Sequence, residues 1–254
     1  MLQSQHRWCR IRNALQSADR ALAILAAFNP DRSSLRVSEL ARELGLHKST
    51  VSRLLSTLQA RGLVRRDGDD FAPGPELARL GALAVTSLPL AQVAREPLGK
   101  LAEVTGETVN LAIRRGDEAV NVLQVQTTHF VGMTDWTGRG APLHATANGK
   151  ILLAFGDAPA PGRLVALTDR TIVDRNALET ELGRVRANGY ATAAEELEIG
   201  LVAVAAPVLD SQGVCVGAVS VSGPAYRLEP EVTAAPCLET AEEISRLLGF
   251  KKAA

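Results

Sequence analysis

The chain has 254 residues, a hydrophobic content of 46%, and equal numbers of basic and acidic residues, 28 of each. This length and composition predict two globular domains and exclude a chain that is mainly disordered. Because no apolar run approaches about 20 residues and the N-terminus lacks the apolar block of a secretory signal, we expect a cytoplasmic protein without a membrane partner.

Charge is distributed unevenly along the chain. Residues 1–90 hold 13 Lys and Arg against 8 Asp and Glu, whereas residues 91–254 hold 15 against 20. The positive N-terminal part favours a polyanionic partner, and its first 16 residues form a basic arm. The three cysteines are widely separated and the four histidines lack tight metal-ligand spacing, so neither a disulfide nor a metal site is expected.

Three helices are predicted after the arm. The first covers residues 17–29 with Ser17 as its N-cap. The second begins after Val37 with Ser38 as its N-cap and ends at Gly45, which is expected to be left-handed. The third covers residues 48–61 and turns its leucines and one valine inward. Its opposite face carries short hydroxyls and one arginine: Ser49, Ser52, Arg53 and Ser56.

Short hydroxyls allow a helix to enter a DNA groove and reach phosphates and base edges. The tight glycine turn between the second and third helices is typical of a helix-turn-helix. Residues 63–73 then predict a hairpin with an Asp-Gly turn, a wing whose acidic tip leaves phosphate contact to Arg65 and Arg66 at its base. The alternative is a three-helix interaction domain whose serines are only solvated surface.

Pro75 begins a linker helix with an apolar stripe that the helix cannot bury by itself, and Leu88-Pro89 ends it. Beyond it the pattern predicts strands at 108–113, 118–126, 201–209 and 214–222, and helices at 146–155, 175–188 and 231–248. Such an order predicts an α+β domain built on an antiparallel sheet.

These residues resemble the isocitrate-lyase-regulator (IclR) type of bacterial transcription factor. The likeness is carried by residues 17–25, 38–41 and 45–55, and continues through 142–150, 189–191, 195–196, 200, 205–208, 210 and 217–224. It implies a winged helix-turn-helix at 17–74, a linker helix at 75–89 and a GAF-like effector-binding domain at 90–254. It also assigns DNA contact to Lys48, Ser49, Thr50 and Arg53, while His47, where the family often has Pro, is expected to loosen the helix start.

The resemblance implies an effector site between the start of one helix and two strands. Its predicted members are Phe130, Met133, Thr146, Ala147, Asn148, Ala193, Leu201, Ala203, Ser220 and Ser222. A helix N-terminus and two hydroxyls on one strand face favour a small carboxylate, with no other cofactor. Ala193 and Ala203 replace polar residues common in the family, and Trp136 lies nearby, so an aromatic or longer acid is favoured. The alternative is a packed sheet on which the serines are only decoration.

Two other functions stay open. A hydrolase would recruit His144, Ser220 and Glu195 or Glu196, although no Gly-x-Ser-x-Gly motif surrounds Ser220. A DNA-binding structural protein would show no ligand response. The favoured hypothesis is a homodimer, with a dimer of dimers left open, that reads a pseudo-palindromic double-stranded operator and responds to a small-molecule effector.

Overall fold

The computed structural model describes residues 15–29, 32–87, 89–126 and 135–251. The chain divides into two compact units between Ala84 and Val85. No helix within the described residues is long and apolar enough to cross a bilayer.

The N-terminal unit has the predicted order of three helices and a hairpin. Its elements are α1 (Gln16–Ala26), α2 (Val37–Glu43), α3 (Lys48–Ala60), β1 (Val64–Asp67) and β2 (Asp70–Pro73), with β1 and β2 antiparallel. Apolar residues from every helix and both strands form one buried core, which includes Ile24, Leu40, Val51, Leu55 and Phe71. The helix-turn-helix and its wing are therefore confirmed.

The predicted caps of the first two helices are wrong. The helix α1 begins at Gln16 and α2 at Val37, so both predicted cap residues, Ser17 and Ser38, lie inside helices, and no side chain caps either start. Burial of Ile24 and Leu40 holds these helices in place, and this tertiary packing outweighs the local preference of serine for the cap position.

The C-terminal unit is a six-stranded antiparallel sheet with helices on both faces, which confirms the α+β prediction. After α4 (Pro75–Ser87), which spans the division between the units, come α5 (Pro89–Thr105), β3 (Thr108–Arg115), β4 (Glu118–Val125), β5 (Gly140–Pro142), α6 (Ala147–Ala154), α7 (Arg175–Asn188), β6 (Ala191–Ala194), β7 (Leu201–Leu209), β8 (Cys215–Pro224) and α8 (Pro230–Leu247). The strand order is β5-β4-β3-β8-β7-β6.

Alternation along the central strands separates two cores. The odd residues Val219 and Val221 of β8 join the core beneath α5 and α8. The even residues face α6 and α7, where Ala218 joins the second core. This alternation places Ser220 and Ser222 together on the α6 side of the sheet, as predicted for residues two apart on one strand.

The edge strands β5 and β6 were not predicted. They have three and four residues, too few for alternation to be recognised. Thr146, predicted as the first residue of a helix, is instead the N-cap of α6, and its Oγ1 accepts a hydrogen bond from the Gly149 backbone nitrogen at 3.0 Å.

Candidate functional site: nucleic-acid interface and ligand cavity

The outer face of α3 brings the predicted DNA-contact residues together. Five of them are exposed and one, Thr50, is half-buried; the exposed five are Lys48, Ser49, Ser52, Arg53 and Ser56. The opposite face buries Val51, Leu55 and Leu58 in the core. Because this apolar face is packed in the core, the polar, cationic face of α3 must point outward.

His47 is the N-cap of α3, and the prediction that it loosens the helix start relative to proline stays a prediction. Its Nδ1 lies 2.7 Å from Ser49 Oγ and accepts from the Ser49 backbone nitrogen at 3.4 Å. An imidazole can therefore fill the cap position although it lacks the preorganised ring of proline. Further along, Ser56 Oγ donates to the Ser52 carbonyl oxygen at 2.9 Å, so this hydroxyl has a partner before DNA arrives.

No described acidic side chain neutralises the positive charge on α3. Within the described residues, neither Lys48 nor Arg53 forms an ion pair, and α3 contains no acidic residue. Two other arginines of this unit do pair: Arg32 Nη1 lies 2.6 Å from Glu43, and Arg36 Nε lies 3.0 Å from Asp70. The positive charge of Lys48 and Arg53 is therefore available to a polyanion that contacts this face of α3.

The wing holds Arg65 and Arg66 exposed but in different settings. Arg65 Nη1 lies 3.5 Å from Asp67, whereas the Arg66 guanidinium carbon lies 5.4 Å from the centre of the Phe71 ring. Adjacent residues of a strand point to opposite faces, so the two arginines leave β1 on opposite sides. Their assignment to phosphate contact stays a prediction.

A cavity of about 370 Å³ lies in the C-terminal unit at the start of α6. Seven predicted effector-site residues line it: Thr146, Ala147, Asn148, Leu201, Ala203, Ser220 and Ser222. Ala193 is buried in the core between the sheet and α7 instead. Phe130 and Met133 lie outside the described residues.

Two asparagine–serine pairs lie on the cavity wall. Asn148 Nδ2 donates to Ser220 Oγ at 2.9 Å, and Asn110 Nδ2 donates to Ser222 Oγ at 3.3 Å. The serines therefore belong to a hydrogen-bond network at an open cavity, and they do not decorate a filled sheet.

Sequence reasoning missed much of the wall. Additional lining residues are Glu107, Asn110, Asn121, Leu197, Glu198, Ile199, Gly200, Tyr226 and Arg227, while Trp136, which it had placed nearby, lines the cavity too. Glu107 and Arg227 form a bidentate ion pair across 120 residues of sequence, which no local pattern reveals. Asn110 did leave a signal, because a lone amide interrupts an otherwise apolar strand segment.

The helix α6, which begins at the cavity, carries a buried lysine. Lys150 is 1% exposed, and its Nζ lies 2.6 Å from Glu196 Oε1, 3.3 Å from Glu181 Oε1 and 2.8 Å from the Thr192 carbonyl oxygen. Burial raises the pKa of Glu196, and the nearby Lys150 opposes that shift. The cluster ties α6 to α7 and to the chain that leads into the cavity loop 197–200.

The hypothetical hydrolytic trio is not assembled. His144 Nε2 bonds to the Val165 carbonyl oxygen at 3.0 Å, and Ser220 accepts from Asn148. Glu196 accepts from Lys150, and Glu195 lies 2.8 Å from Arg170 Nη1. In the described part of the chain, no group of three His, Cys, Asp or Glu side chains could hold a metal ion.

Two sequence profiles match the chain. The IclR helix-turn-helix domain matches residues 17–68, and the C-terminal domain of the bacterial transcriptional regulator IclR matches residues 82–246. The HTH-type transcriptional regulator BhcR of Paracoccus denitrificans is 36% identical over 242 residues, which cover 91% of this chain and 86% of that protein. The transcriptional repressor IclR of Escherichia coli is 33% identical over 248 residues, which cover 92% of this chain and 90% of that protein. The crystal structure of the Thermotoga maritima IclR superposes with a TM-score of 0.70 at 30% identity and covers 93% of this chain and 100% of that chain.

Proposed function

Because this chain belongs to the IclR family of bacterial transcriptional regulators, we propose that it binds an operator through α3 and that a small organic acid bound in its C-terminal cavity changes its operator affinity. DNA-binding transcription regulation is the function of the family, and its members are not enzymes. The operator contacts, the class of effector and the oligomeric state are the parts that need experiment.

The observation that carries DNA binding is the exposed charge of Lys48 and Arg53 beside the hydroxyls of α3, since neither cation pairs with an acid in the described part of the chain. A helix of this kind is placed in the major groove, where its first turns reach base edges and its cations neutralise phosphates. Lys48, Ser49, Thr50, Ser52, Arg53 and Ser56 are the proposed contacts, with Arg65 and Arg66 on the adjoining backbone.

An Arg53→Ala variant tests this role. Its affinity for the DNA upstream of its own gene, followed by fluorescence anisotropy at several salt concentrations, should fall. The slope of log K against log salt should shrink by about 0.9 for each phosphate contact removed. Lys100→Ala is the matched control, because Lys100 is an exposed cation on α5 in the other unit. Equal affinity and slope for both variants and the parent would contradict the proposal.

We expect a homodimer on a pseudo-palindromic operator, with two α3 helices in major-groove segments about 34 Å apart. Two dimers that pair into a tetramer are compatible with the same contacts. The helix α4 is the proposed transmitter, and Leu80 on it is 43% exposed, an apolar surface that a second copy would cover. Leu80→Glu should lower the dimer content in analytical ultracentrifugation and weaken operator binding, and a variant that matches the parent in both would exclude this role.

The effector is proposed to be a carboxylate held at the start of α6. Free backbone N–H groups at a helix N-terminus attract an anion, and the Ser220 hydroxyl lies beside them. Trp136 on the wall favours an acid with a flat or extended apolar body. An operator titration with glyoxylate, pyruvate and benzoate-type acids should reveal a coupling of about 1–3 kcal/mol for a true effector. Operator affinity unchanged by every acid would leave a DNA-binding protein without this response.

A further inference from the structure

His47 places an exposed imidazole ring beside the polar face of α3. Its Nδ1 lies 2.7 Å from the hydroxyl oxygen of Ser49, a residue of that exposed face. In a helix-turn-helix, the residues at the start of the recognition helix are those that reach base edges. The ring therefore lies where a duplex would contact the beginning of α3.

The bonding of the ring determines which nitrogen carries its hydrogen. The Ser49 backbone nitrogen lies 3.4 Å from His47 Nδ1, and a backbone N–H can only donate, so Nδ1 accepts and carries no hydrogen. In the neutral ring the hydrogen is then on Nε2. No described residue bonds to Nε2, so the exposed ring offers an N–H donor to an outside partner.

The same bonding orients the Ser49 hydroxyl. Because Nδ1 carries no hydrogen, the hydrogen in the 2.7 Å contact with Ser49 Oγ comes from the hydroxyl. Ser49 Oγ then has only lone pairs left for another partner. Phosphate oxygens are acceptors as well, so they give this oxygen nothing to bind. In the major groove, the hydrogen-bond donors are the amino groups of adenine and cytosine.

Ser56 shows a similar arrangement about two turns further along α3. Its hydroxyl donates to the Ser52 carbonyl oxygen at 2.9 Å, which leaves another acceptor on this face. The exposed cations Lys48 and Arg53, by contrast, can only donate. The two cations therefore suit phosphates, whereas the Ser49 oxygen suits a base.

We infer that His47 and Ser49 read DNA as one unit. The His47 Nε2–H donates to an acceptor on the duplex, either a purine base edge or a phosphate oxygen, and His47 holds the Ser49 hydroxyl as an acceptor for a base amino group. His47 is thus a contact residue and also a positioning residue for Ser49. This rests on the proposed function, since it takes α3 as the recognition helix.

The test follows the fluorescence anisotropy of the DNA segment that the full chain protects upstream of its own gene. Variants of this duplex carry each single base-pair substitution, and an unrelated duplex of equal length is measured beside them. His47→Ser removes the ring but keeps a cap acceptor, and His47→Pro keeps a residue suited to a helix start. Both should bind the upstream segment about tenfold or more weakly, because a dimer loses the contact in both half-sites.

Thermal unfolding like that of the parent establishes that each variant is folded. If His47 served only as a cap, His47→Ser would bind like the parent, because serine also caps helices. A loss shared by the unrelated duplex assigns the Nε2–H to a phosphate, and a loss that depends on one base pair assigns it to a base edge.

Ser49→Ala tests the second half of the unit. It should abolish the preference for one base pair that offers an amino group, and His47→Ser should weaken that same preference. Because His47 orients Ser49, the loss of affinity in the double variant His47→Ser/Ser49→Ala should be smaller than the product of the two single losses.

Gln59→Ala is the matched control. Gln59 is an exposed polar residue in the last turn of α3, about 18 Å from His47 along the helix axis at the rise of an α-helix. Its removal should leave both the affinity and the base preferences of the parent.

Arg53→Ala separates this inference from the proposed function. If Arg53→Ala weakens operator binding but a His47 variant binds like the parent, the inference is overturned and the proposed function stands. The same holds if Ser49→Ala keeps every base preference, or if the losses in the double variant multiply. If the parent shows no salt-sensitive binding to its upstream DNA, both are overturned.

Discussion

Replacing Lys150 with methionine isolates the contribution of the buried ion cluster that Lys150 forms with Glu181 and Glu196. Methionine nearly matches the length of the lysine stem but removes the charge. The substitution removes the cation that lies 2.6 Å from Glu196 and 3.3 Å from Glu181, and of the two carboxylates only Glu181 keeps another described cation, Arg184 at 3.6 Å. Loss of one partner from a buried ion pair costs about 3–5 kcal/mol, since the remaining charge stays buried without compensation. That cost is a large fraction of the stability of an ordinary domain, about 5–15 kcal/mol.

The loss should depend on pH. The pKa of Glu196 is raised above its ordinary value of 4.5, with burial as the largest cause and Lys150 opposing it. A carboxyl whose pKa is raised in the folded state contributes stability below its unfolded pKa, and this contribution disappears as pH rises through the folded value. Lys150→Met removes the opposing attraction and raises the pKa of Glu196 further. The deficit relative to the parent should thus be largest at pH 8 and smaller at pH 5.

Urea unfolding measures both effects when Trp136 fluorescence is followed in a Trp8→Phe background, because Trp136 lies on the cavity wall. Glu196→Gln is to be made in the parent and in Lys150→Met. In the double variant it should recover a substantial part of the lost stability, since it removes the uncompensated charge. A loss below about 1 kcal/mol, an equal loss at pH 8 and pH 5, or no recovery by glutamine would refute the reasoning.

Further predictions concern glycines and thiols. Gly149→Ala should destabilise the C-terminal unit by about 1–3 kcal/mol or more in the same assay, because the new Cβ would lie 2.1 Å from a backbone carbonyl oxygen. Gly183 is exposed in α7, and a Cβ added there would meet no atom within 4 Å, so Gly183→Ala should instead raise the free energy of unfolding by about 0.5–1 kcal/mol. A lower free energy of unfolding would contradict the assignment of this position to an open, exposed part of the helix. Burial raises the pKa of Cys215 to about 11 and of Cys237 to about 12, so in a Cys9→Ser variant Ellman's reagent at pH 8 should label neither thiol until urea unfolds the protein.

Local sequence determined the elements whose residues repeat with a clear period. The helix α3 was predicted at 48–61 and is found at Lys48–Ala60, and β7 was predicted at its observed bounds, Leu201–Leu209. Long amphipathic segments have few alternative ways to bury their apolar face, so their pattern is sufficient. The polar face of α3 and the paired serines of β8 followed from the same periodicity.

Tertiary structure alone decided which distant polar groups meet. The Glu107–Arg227 pair, the Asn110–Ser222 bond and the Lys150 cluster join residues between 31 and 120 positions apart. Whether an amide is paired or left with an open acceptor depends on strand register and on the packing of α6 against the sheet. Strand register and helix packing depend on which apolar residues are buried together across the whole domain. A short stretch of sequence does not determine that.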